Sequence, residues 1–577
     1  MSRLRGLSVL VAIILPSFMT ALDNTVVNVA FPQIQEELAL SDSGLKWVAT
    51  VYPLTFSSFL LLGGRCADSR GRRPTLLLGI ALFTVSSLLC SVSTSGPALI
   101  VCRGLQGVGA ALIMPASLAV LSHDLLPRAR NAGISALTAA LAIALACGPV
   151  ISGLITEHLG WNWLFAINVP LGVLSLLVTV AAIPRSSAYE GTVPRQVPRS
   201  TLPLHTVTLA CLFFGGFAYC LIEGPRYGFT AVKIVVPGIM SLICVIAVVV
   251  TASTNRHTPL VDLLRRRAFA GGIVTQLLWG LGVTGVFFFT SQFLQNVLDF
   301  SPTSAGLTFT PVASALLVTA VLVPKMVRRW GDGRVSAVGL LLVSLGLLLV
   351  ARGSAAAGGF ADLLPGLAGI GIGSAMAVPL TTRALESAPD HASGIAAGLF
   401  SATREASGVL GIAVVGVIVT YRRHSAAVAG AAADGAFLAG YQAGLYTAAA
   451  LVAIGAPVAW CTLRIPRPRT PKLVTGRFVV AEGRVRRRWV PRLTRRCGHN
   501  RSDSYVLSPS GFRGFDVVRR GYARDQVDRY LAALSATDSA ASPPSFLVVG
   551  RGYDCQQVDV RIRELLADRG ISWSPPV

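Results

Sequence analysis

Long apolar runs, broken by short polar or charged interruptions, set the pattern of this chain. About fourteen runs of roughly 18 to 25 residues are long enough to cross a bilayer as helices. The first six cover 7–29, 45–64, 74–92, 97–121, 131–155 and 163–183. A Pro/Arg-rich stretch (184–203) follows, then two further runs at 205–222 and 232–251. The last six cover 271–292, 304–325, 335–351, 361–381, 395–420 and 442–463. This pattern predicts an all-α integral membrane protein with a six plus two plus six arrangement. The basic, then apolar, start could pass for a secretory signal. However, Asp23, Asn24 and Asn28 interrupt the run and no small-residue cleavage site follows, so it reads as a retained first helix.

The polar interruptions orient the chain. Threaded from a cytoplasmic N-terminus, the inner loops hold roughly three times as many Arg and Lys as the outer ones. Arg65 to Arg73, Arg265 to Arg267, and Lys325, Arg328, Arg329 and Arg334 all fall inside, whereas Arg422 and Arg423 would lie outside. An even number of spans places both termini in the cytoplasm. Expected domains are a six-helix lobe (1–183), a linker with two extra helices (184–260) and a second six-helix lobe (261–463). A basic juxtamembrane linker (464–510) and two short repeats (511–577) complete the chain.

Composition narrows the function. Charged residues make up 13% of the chain, against about 25% in soluble domains. The net charge of +23 is not a nucleic-acid signal, because residues 464–577 alone hold 22 basic and 10 acidic residues. The ten cysteines include no C-x-x-C pair, so neither a disulfide framework nor a zinc site is expected. No phosphate-binding G-x-x-x-x-G-K-[ST] loop occurs, which argues against ATP hydrolysis by this chain. No enzyme activity, cofactor or metal is expected.

Four ordered motifs stand on these helices. The segment Gly64-Arg65-Cys66-Ala67-Asp68-Ser69-Arg70-Gly71-Arg72-Arg73 reads as a charged turn between the second and third spans. Helix 1 holds Leu22 to Pro32 with Asp23, Asn24 and Asn28. Helix 4 holds Leu99, Arg103, Gln106, Gly107 and Gly109, and helix 5 holds Gly148-Pro149-Val150-Ile151-Ser152-Gly153 followed by Trp161 to Gly172. Together they resemble the fourteen-helix drug:proton antiporter branch of the major facilitator superfamily. Cys66, Ala144, Ser152 and Asn162 depart locally from that branch's pattern. The resemblance implies a two-lobed bundle, alternating access, export driven by the proton gradient, and a latch role for Gly64, Asp68, Gly71, Arg72 and Arg73. It also marks Gly148, Pro149 and Gly153 as an exporter motif. A simple topogenic basic loop would explain the arginines but not Asp68.

Ionisable groups inside spans are expensive and usually face a cavity or a partner. Asp23 and Arg103 each lie about six residues from the outer ends of their predicted spans, hence at similar depth. They are expected to form the proton-coupling pair; a permanent structural ion pair is the alternative. Glu405, near mid-membrane on helix 13, is a second proton or cation candidate, or a structural partner. Adjacent residues on a helix point about 100° apart, so Arg404 and Glu405 are not expected to face one partner. Asn24, Asn28, Gln106, Phe18 and Trp279 are expected cavity residues, the aromatics being able to stack on a cationic or planar substrate. Gly369, Gly371 and Gly373 read as helix packing.

Between Arg464 and Arg501 stand thirteen basic residues and one acid, Glu482. Such a cluster beside a span suits anionic lipid better than nucleic acid, which is not an expected partner. Beyond it Phe515 to Asp528 recurs as Phe546 to Asp559 at a 31-residue offset. Each copy predicts a short extended piece, a Gly turn and a short helix (525–534; 556–566). These copies resemble the module of DivIVA-type septum and pole proteins, which implies a protein partner or membrane-site targeting. The expected function is a proton-coupled exporter of amphipathic drugs or antibiotics in the cytoplasmic membrane. The alternatives are an exporter of an endogenous metabolite or lipid-like compound, and a membrane scaffold whose tail recruits division or growth machinery.

Overall fold

The computed structural model describes residues 3–123, 127–183, 204–254, 259–355, 359–389 and 392–463, with residues 517–518, 521–522, 527, 548–549, 552–553 and 558 of the tail. The chain divides into two compact units, Met1–Thr470 and Pro471–Val577. In the first, long helices run α1 (Arg3–Val26), α2 (Asp42–Arg70), α3 (Arg72–Ser91), α4 (Gly96–His123), α5 (Pro127–His158) and α6 (Asn168–Ala182). Next come α7 (Leu204–Tyr227) and α8 (Val232–Thr254). The second lobe holds α9 (Arg267–Asn296), α10 (Thr310–Trp330), α11 (Asp332–Ala355), α12 (Phe360–Glu386), α13 (Ser393–Val428) and α14 (Ala433–Thr462). Eleven helices among the described residues are long and apolar enough to cross a membrane. The remaining three predicted spans fall on α2, α7 and α8, of 29, 24 and 23 residues. The fold is an all-α, two-lobed membrane bundle.

The lobes are built alike. In the first, α1 packs on α5 and α6, α2 on α4, and α3 on α4 and α6. In the second, α9 packs on α13 and α14, α10 on α12, and α11 on α12 and α14. These are the same five pairings, as expected of paired six-helix repeats. Within lipid there is no hydrophobic drive between helices, so close approach relies on small residues. Gly79 and Gly109 bring α3 onto α4, and Gly339, Gly346, Gly366 and Gly373 bring α11 onto α12. Gly371 packs on the backbone of Val312, so the 369–373 glycines include at least two packing positions. Large apolar side chains on the outer surface, such as Val232 and Val321, suit lipid rather than water.

The predicted turn at 64–73 is corrected. α2 remains helical through Arg70, and only Gly71 breaks the chain, with φ of +98°. Charged residues can leave the apolar layer without leaving the helix, so polarity does not mark where the helix ends. Gly64 therefore supplies no tight backbone. The close-packed position is its neighbour Gly63, where a Cβ would collide with the Ala111 carbonyl. In the second lobe Gly331, with φ of +84°, makes the matching one-residue break between α10 and α11. Both values lie where only glycine is comfortable.

In the tail unit, four two-residue strands form one antiparallel sheet: β1 (Val517–Val518), β2 (Gly521–Tyr522), β3 (Val548–Val549) and β4 (Gly552–Tyr553). Their order is β1-β4-β2-β3. Val517 pairs with Tyr553, Tyr522 with Val548, and Tyr522 with Tyr553 at the centre. The repeats thus exchange strands across a pseudo-twofold axis and are one unit, not two independent modules. Of the two predicted short helices, only Val527 and Val558 lie among the described residues; both are helical and fully buried. The basic stretch from Arg464 to Arg501 lies outside them.

Candidate functional site

A closed polar network lies inside the first lobe. Asp23 on α1 forms an ion pair with Arg103 on α4. Its other oxygen, Oδ1, accepts hydrogen bonds from Gln106 Nε2 (2.8 Å) and Asn168 Nδ2 (2.8 Å). Gln106 Oε1 accepts from Arg103 Nη1 at 2.7 Å, and Gln106 Nε2 also donates to Ser87 Oγ at 2.8 Å. The Arg103 guanidinium lies 4.5 Å from the Tyr52 ring centre and 5.5 Å from that of Phe165. Tyr52 in turn donates to the Thr20 carbonyl at 3.0 Å. Asp23, Arg103, Gln106, Asn168, Ser87 and Tyr52 are all buried.

Helix geometry explains part of this cluster. Arg103 and Gln106 are three residues apart on α4, so they share a face. Asp23 and Asn168 reach them from α1 and α6, which pack together. A buried carboxylate without partners would be prohibitively costly; here Arg103, Gln106 and Asn168, from two neighbouring helices, compensate it. A flat guanidinium between two rings also gains cation–π attraction in a dry site. Asp23, Arg103 and Gln106 therefore come together as a set. Gln106, expected to line a cavity, instead spends its amide within the lobe.

Glu405 occupies a different place. Its Oε2 accepts from Asn24 Nδ2 of the first lobe at 3.4 Å, so it sits where the lobes meet. Its Oε1 accepts from Arg404 Nε (3.1 Å) and Nη2 (2.9 Å). The two adjacent residues thus bond each other: the arginine chain is long enough to fold back along the helix, whatever its Cβ direction. Asn28 donates to the Thr25 carbonyl at 3.1 Å, which caps the end of α1. Phe18 and Trp279 are partly buried against the main apolar cluster, and the Trp279 indole N–H is buried with no hydrogen-bond partner.

The helix-5 motif forms a seam between lobes. Gly148 faces α1, where a Cβ would strike Thr25 Oγ1. Gly153 meets the backbone of Pro302 and Thr303, and Gly306 meets the Pro149 carbonyl. Those partners lie on the short helix Pro302–Thr308, in the second lobe. Glu157 Oε2 accepts from the Thr303 backbone N–H at 2.9 Å. Along the other seam, Lys46 Nζ donates to Thr420 Oγ1 at 3.1 Å and Arg423 pairs with Asp42 at 3.4 Å. Gln295 Nε2 donates to the Val29 carbonyl at 2.8 Å, near the tilted ring pair of Phe31 and Phe288. These contacts lie in the half of the bundle towards Lys46, where the two lobes therefore meet.

At the opposite end, Arg73 Nη2 donates to the Val180 carbonyl at 3.1 Å, tying α3 to α6. Sequence reasoning missed Asn168, Ser87, Tyr52 and Phe165, although Phe165 and Asn168 stand in the quoted segment that follows the helix-5 motif. In that segment the Trp161 indole N–H donates to Glu37 Oε2 at 2.7 Å. Asn162, a departure from the expected pattern, donates to the Ser91 carbonyl at 2.8 Å.

Two repeated lobes joined along two seams, with an ion pair dry inside one of them, define a polytopic membrane transporter rather than an enzyme. The chain belongs to the Major Facilitator Superfamily, whose profile matches residues 13–412. It is 32% identical to the multidrug resistance protein Stp of Mycobacterium tuberculosis, over 71% of this chain and 75% of that protein. It is 31% identical to the tetracenomycin C resistance and export protein of Streptomyces glaucescens, over 72% and 76% respectively. The methylenomycin A resistance protein of Bacillus subtilis is also 31% identical, over 78% and 93%. Among solved structures, an auto-inhibited POT-family peptide transporter superposes with a TM-score of 0.58 at 16% identity, covering 80% of this chain and 97% of that one. A bacterial homologue of the human lysosomal transporter Spinster gives 0.54 at 14%, covering 80% and 98%.

Proposed function

We propose that this protein exports amphipathic drugs or antibiotics in exchange for protons, by alternating access between its two lobes. The Lys46 end faces the outside and the Gly71 end the cytoplasm, in keeping with the Arg-rich segments around Gly71 and Gly331. Resistance and export relatives at 31–32% identity support the substrate class. The observation that carries the coupling is the Asp23 carboxylate, a buried ionisable group held by Arg103, Gln106 and Asn168 from two other helices of its own lobe.

Protonation of Asp23 removes the charge that Arg103 pairs with and weakens the bonds from Gln106 and Asn168, so protonation and rearrangement of α1 against α4 and α6 are linked. Glu405 is the second titratable group on the path, bridging the lobes through Asn24. Its protonation weakens that bridge and its pairing with Arg404. No bound cofactor is needed in this scheme, since the proton gradient supplies the work. Anionic lipid is the proposed partner of the 464–501 stretch, and a protein that of the tail sheet.

The test compares wild type with Asp23→Asn in an efflux-deficient host, reading accumulation of a fluorescent lipophilic cation with and without an uncoupler. Uncoupler-sensitive efflux that the mutation abolishes is the expected result. Efflux retained in the mutant would move the coupling role to Glu405. No efflux in either, with expression verified, would favour a metabolite exporter or a scaffold.

A further inference from the structure

The two helices between the lobes are more than a tether. α7 packs against α2 of the first lobe and α13 of the second, the pair that forms one seam. Ala218 sits between Leu54 of α2 and Val409 of α13, with Trp47 and Phe214 against them. α7 therefore straddles a seam that must part in any rocking motion, and must stay with one lobe. Its polar contacts decide which. Trp47 Nε1 on α2 donates to Glu223 Oε1 on α7 at 2.9 Å, and the Trp47 and Tyr219 rings lie 6.2 Å apart.

The residue before Trp47 is Lys46, 5% exposed. Its stem crosses the seam over Gly416, 3.1 and 3.3 Å from where a Cβ there would stand, and its ammonium is held by Thr420. Among the described residues no carboxylate lies within ion-pair distance of it. A buried ammonium held by one hydroxyl is under-compensated. Glu223 Oε2 is also buried and accepts no hydrogen bond, its nearest cation being the exposed Arg226 at 4.0 Å. Asp42, one turn before Lys46, is more than half exposed and engaged with Arg423, and such exposed pairs contribute little.

We propose that α7 moves with the first lobe as part of the outer gate, and that Glu223 takes over the Lys46 ammonium when the gate opens and Thr420 withdraws. The inference rests on alternating access as proposed above. The exchange gives the outward-open state an ion pair in place of a single bond to a hydroxyl, so it offsets part of the cost of parting the seam. Lys46 and Glu223 are positioning residues in this scheme; neither need touch substrate.

Nitroxide labels at the exposed Leu159 and Val428, in a background lacking native cysteines, report the outer opening by pulsed electron paramagnetic resonance in nanodiscs. Wild type is expected to show a short and a long distance, their ratio changing between acid and neutral pH. Glu223→Gln, which keeps the oxygen that Trp47 uses, is expected to lower the long-to-short ratio about fivefold. In a Lys46→Met background the same change is expected to alter it by less than about twofold, since coupled residues fail to add. Equal effects in both backgrounds, or coupling of Lys46 to Asp42→Asn instead, would overturn the proposal. A single distance in wild type under every condition would remove alternating access itself. Should Glu223→Gln fail to purify as a monodisperse particle, Lys46→Met alone decides, because an unchanged or raised ratio contradicts the exchange.

Discussion

The two lobes share their helix pairings but not their interiors. The first is held at its centre by Asp23, Arg103, Gln106, Asn168 and Ser87, drawn from four helices. The second is closed by apolar layers and glycine contacts, with scattered buried hydrogen bonds such as Thr290–Tyr441 (2.8 Å) and Ser344 to the Ala449 carbonyl (2.9 Å). Its ionisable group, Glu405, stands at the seam instead. Fold repetition thus fixes how helices meet, while the polar chemistry is free to differ. A lobe with its charge paired inside can move as a body; a lobe with its charge at the edge can sense where the other lobe is.

The largest test of this contrast removes one partner of the buried pair. Arg103→Met leaves Asp23 without its cation and is expected to destabilise the protein by about 3–5 kcal/mol. Thermal unfolding in detergent should show it as a marked fall in Tm. Asp23→Asn keeps an oxygen for Gln106 and Asn168 but leaves the buried Arg103 without its counter-ion, so a loss of the same order is expected. No fall in either variant would mean that the pairing of charges holds nothing together. Glu405→Gln, at the seam, should change Tm little, because Asn24 and Arg404 keep an oxygen to bind.

Much of this plan was readable in advance, and the reasons are physical. A bilayer demands about 20 apolar residues per crossing, so the helices announce themselves by length. Asp23 and Arg103 stood out because charge is rare within spans. Asn168 did not, since it lies 145 residues from Asp23 and no periodicity links them. The seam was hidden for the same reason: Lys46 and Thr420 are 374 residues apart. The 64–73 segment was misread because charge was taken for a turn, whereas α2 simply outruns the apolar layer and stops at Gly71. The contact between Arg404 and Glu405 was not foreseen, because Cβ directions do not tell where a long side chain folds back.

The breaks at Gly71 and Gly331 are where the lobes should agree. Each carries one residue in a backbone region that only glycine adopts without strain. Gly71→Ala and Gly331→Ala are each expected to cost about 1–2 kcal/mol. A Cβ at Gly331 meets nothing within 4 Å, and at Gly71 only Pro74 at 3.5 Å, so sterics with neighbours add little in either lobe. Matching losses of stability in unfolding measurements would show that the repeated break is a backbone device. A much larger loss of transport for Gly71→Ala, at equal stability, would show that the first lobe's break carries an added functional load.

The smallest effect probes a buried hydroxyl pair of the second lobe. Tyr441→Phe removes an O–H and leaves Thr290, fully buried on α9, to find another acceptor. In a helix a threonine hydroxyl can turn to the carbonyl one turn back, so the orphan is partly rescued and the expected cost is about 1 kcal/mol. The stacked contact of the 441 ring with Phe293, at 4.7 Å and 13°, survives the change. Tm should therefore fall slightly, and uncoupler-sensitive efflux should persist. Loss of efflux at near-normal stability would break the contrast drawn between the lobes. It would place a polar group essential to transport inside the lobe whose interior is held mainly by packing.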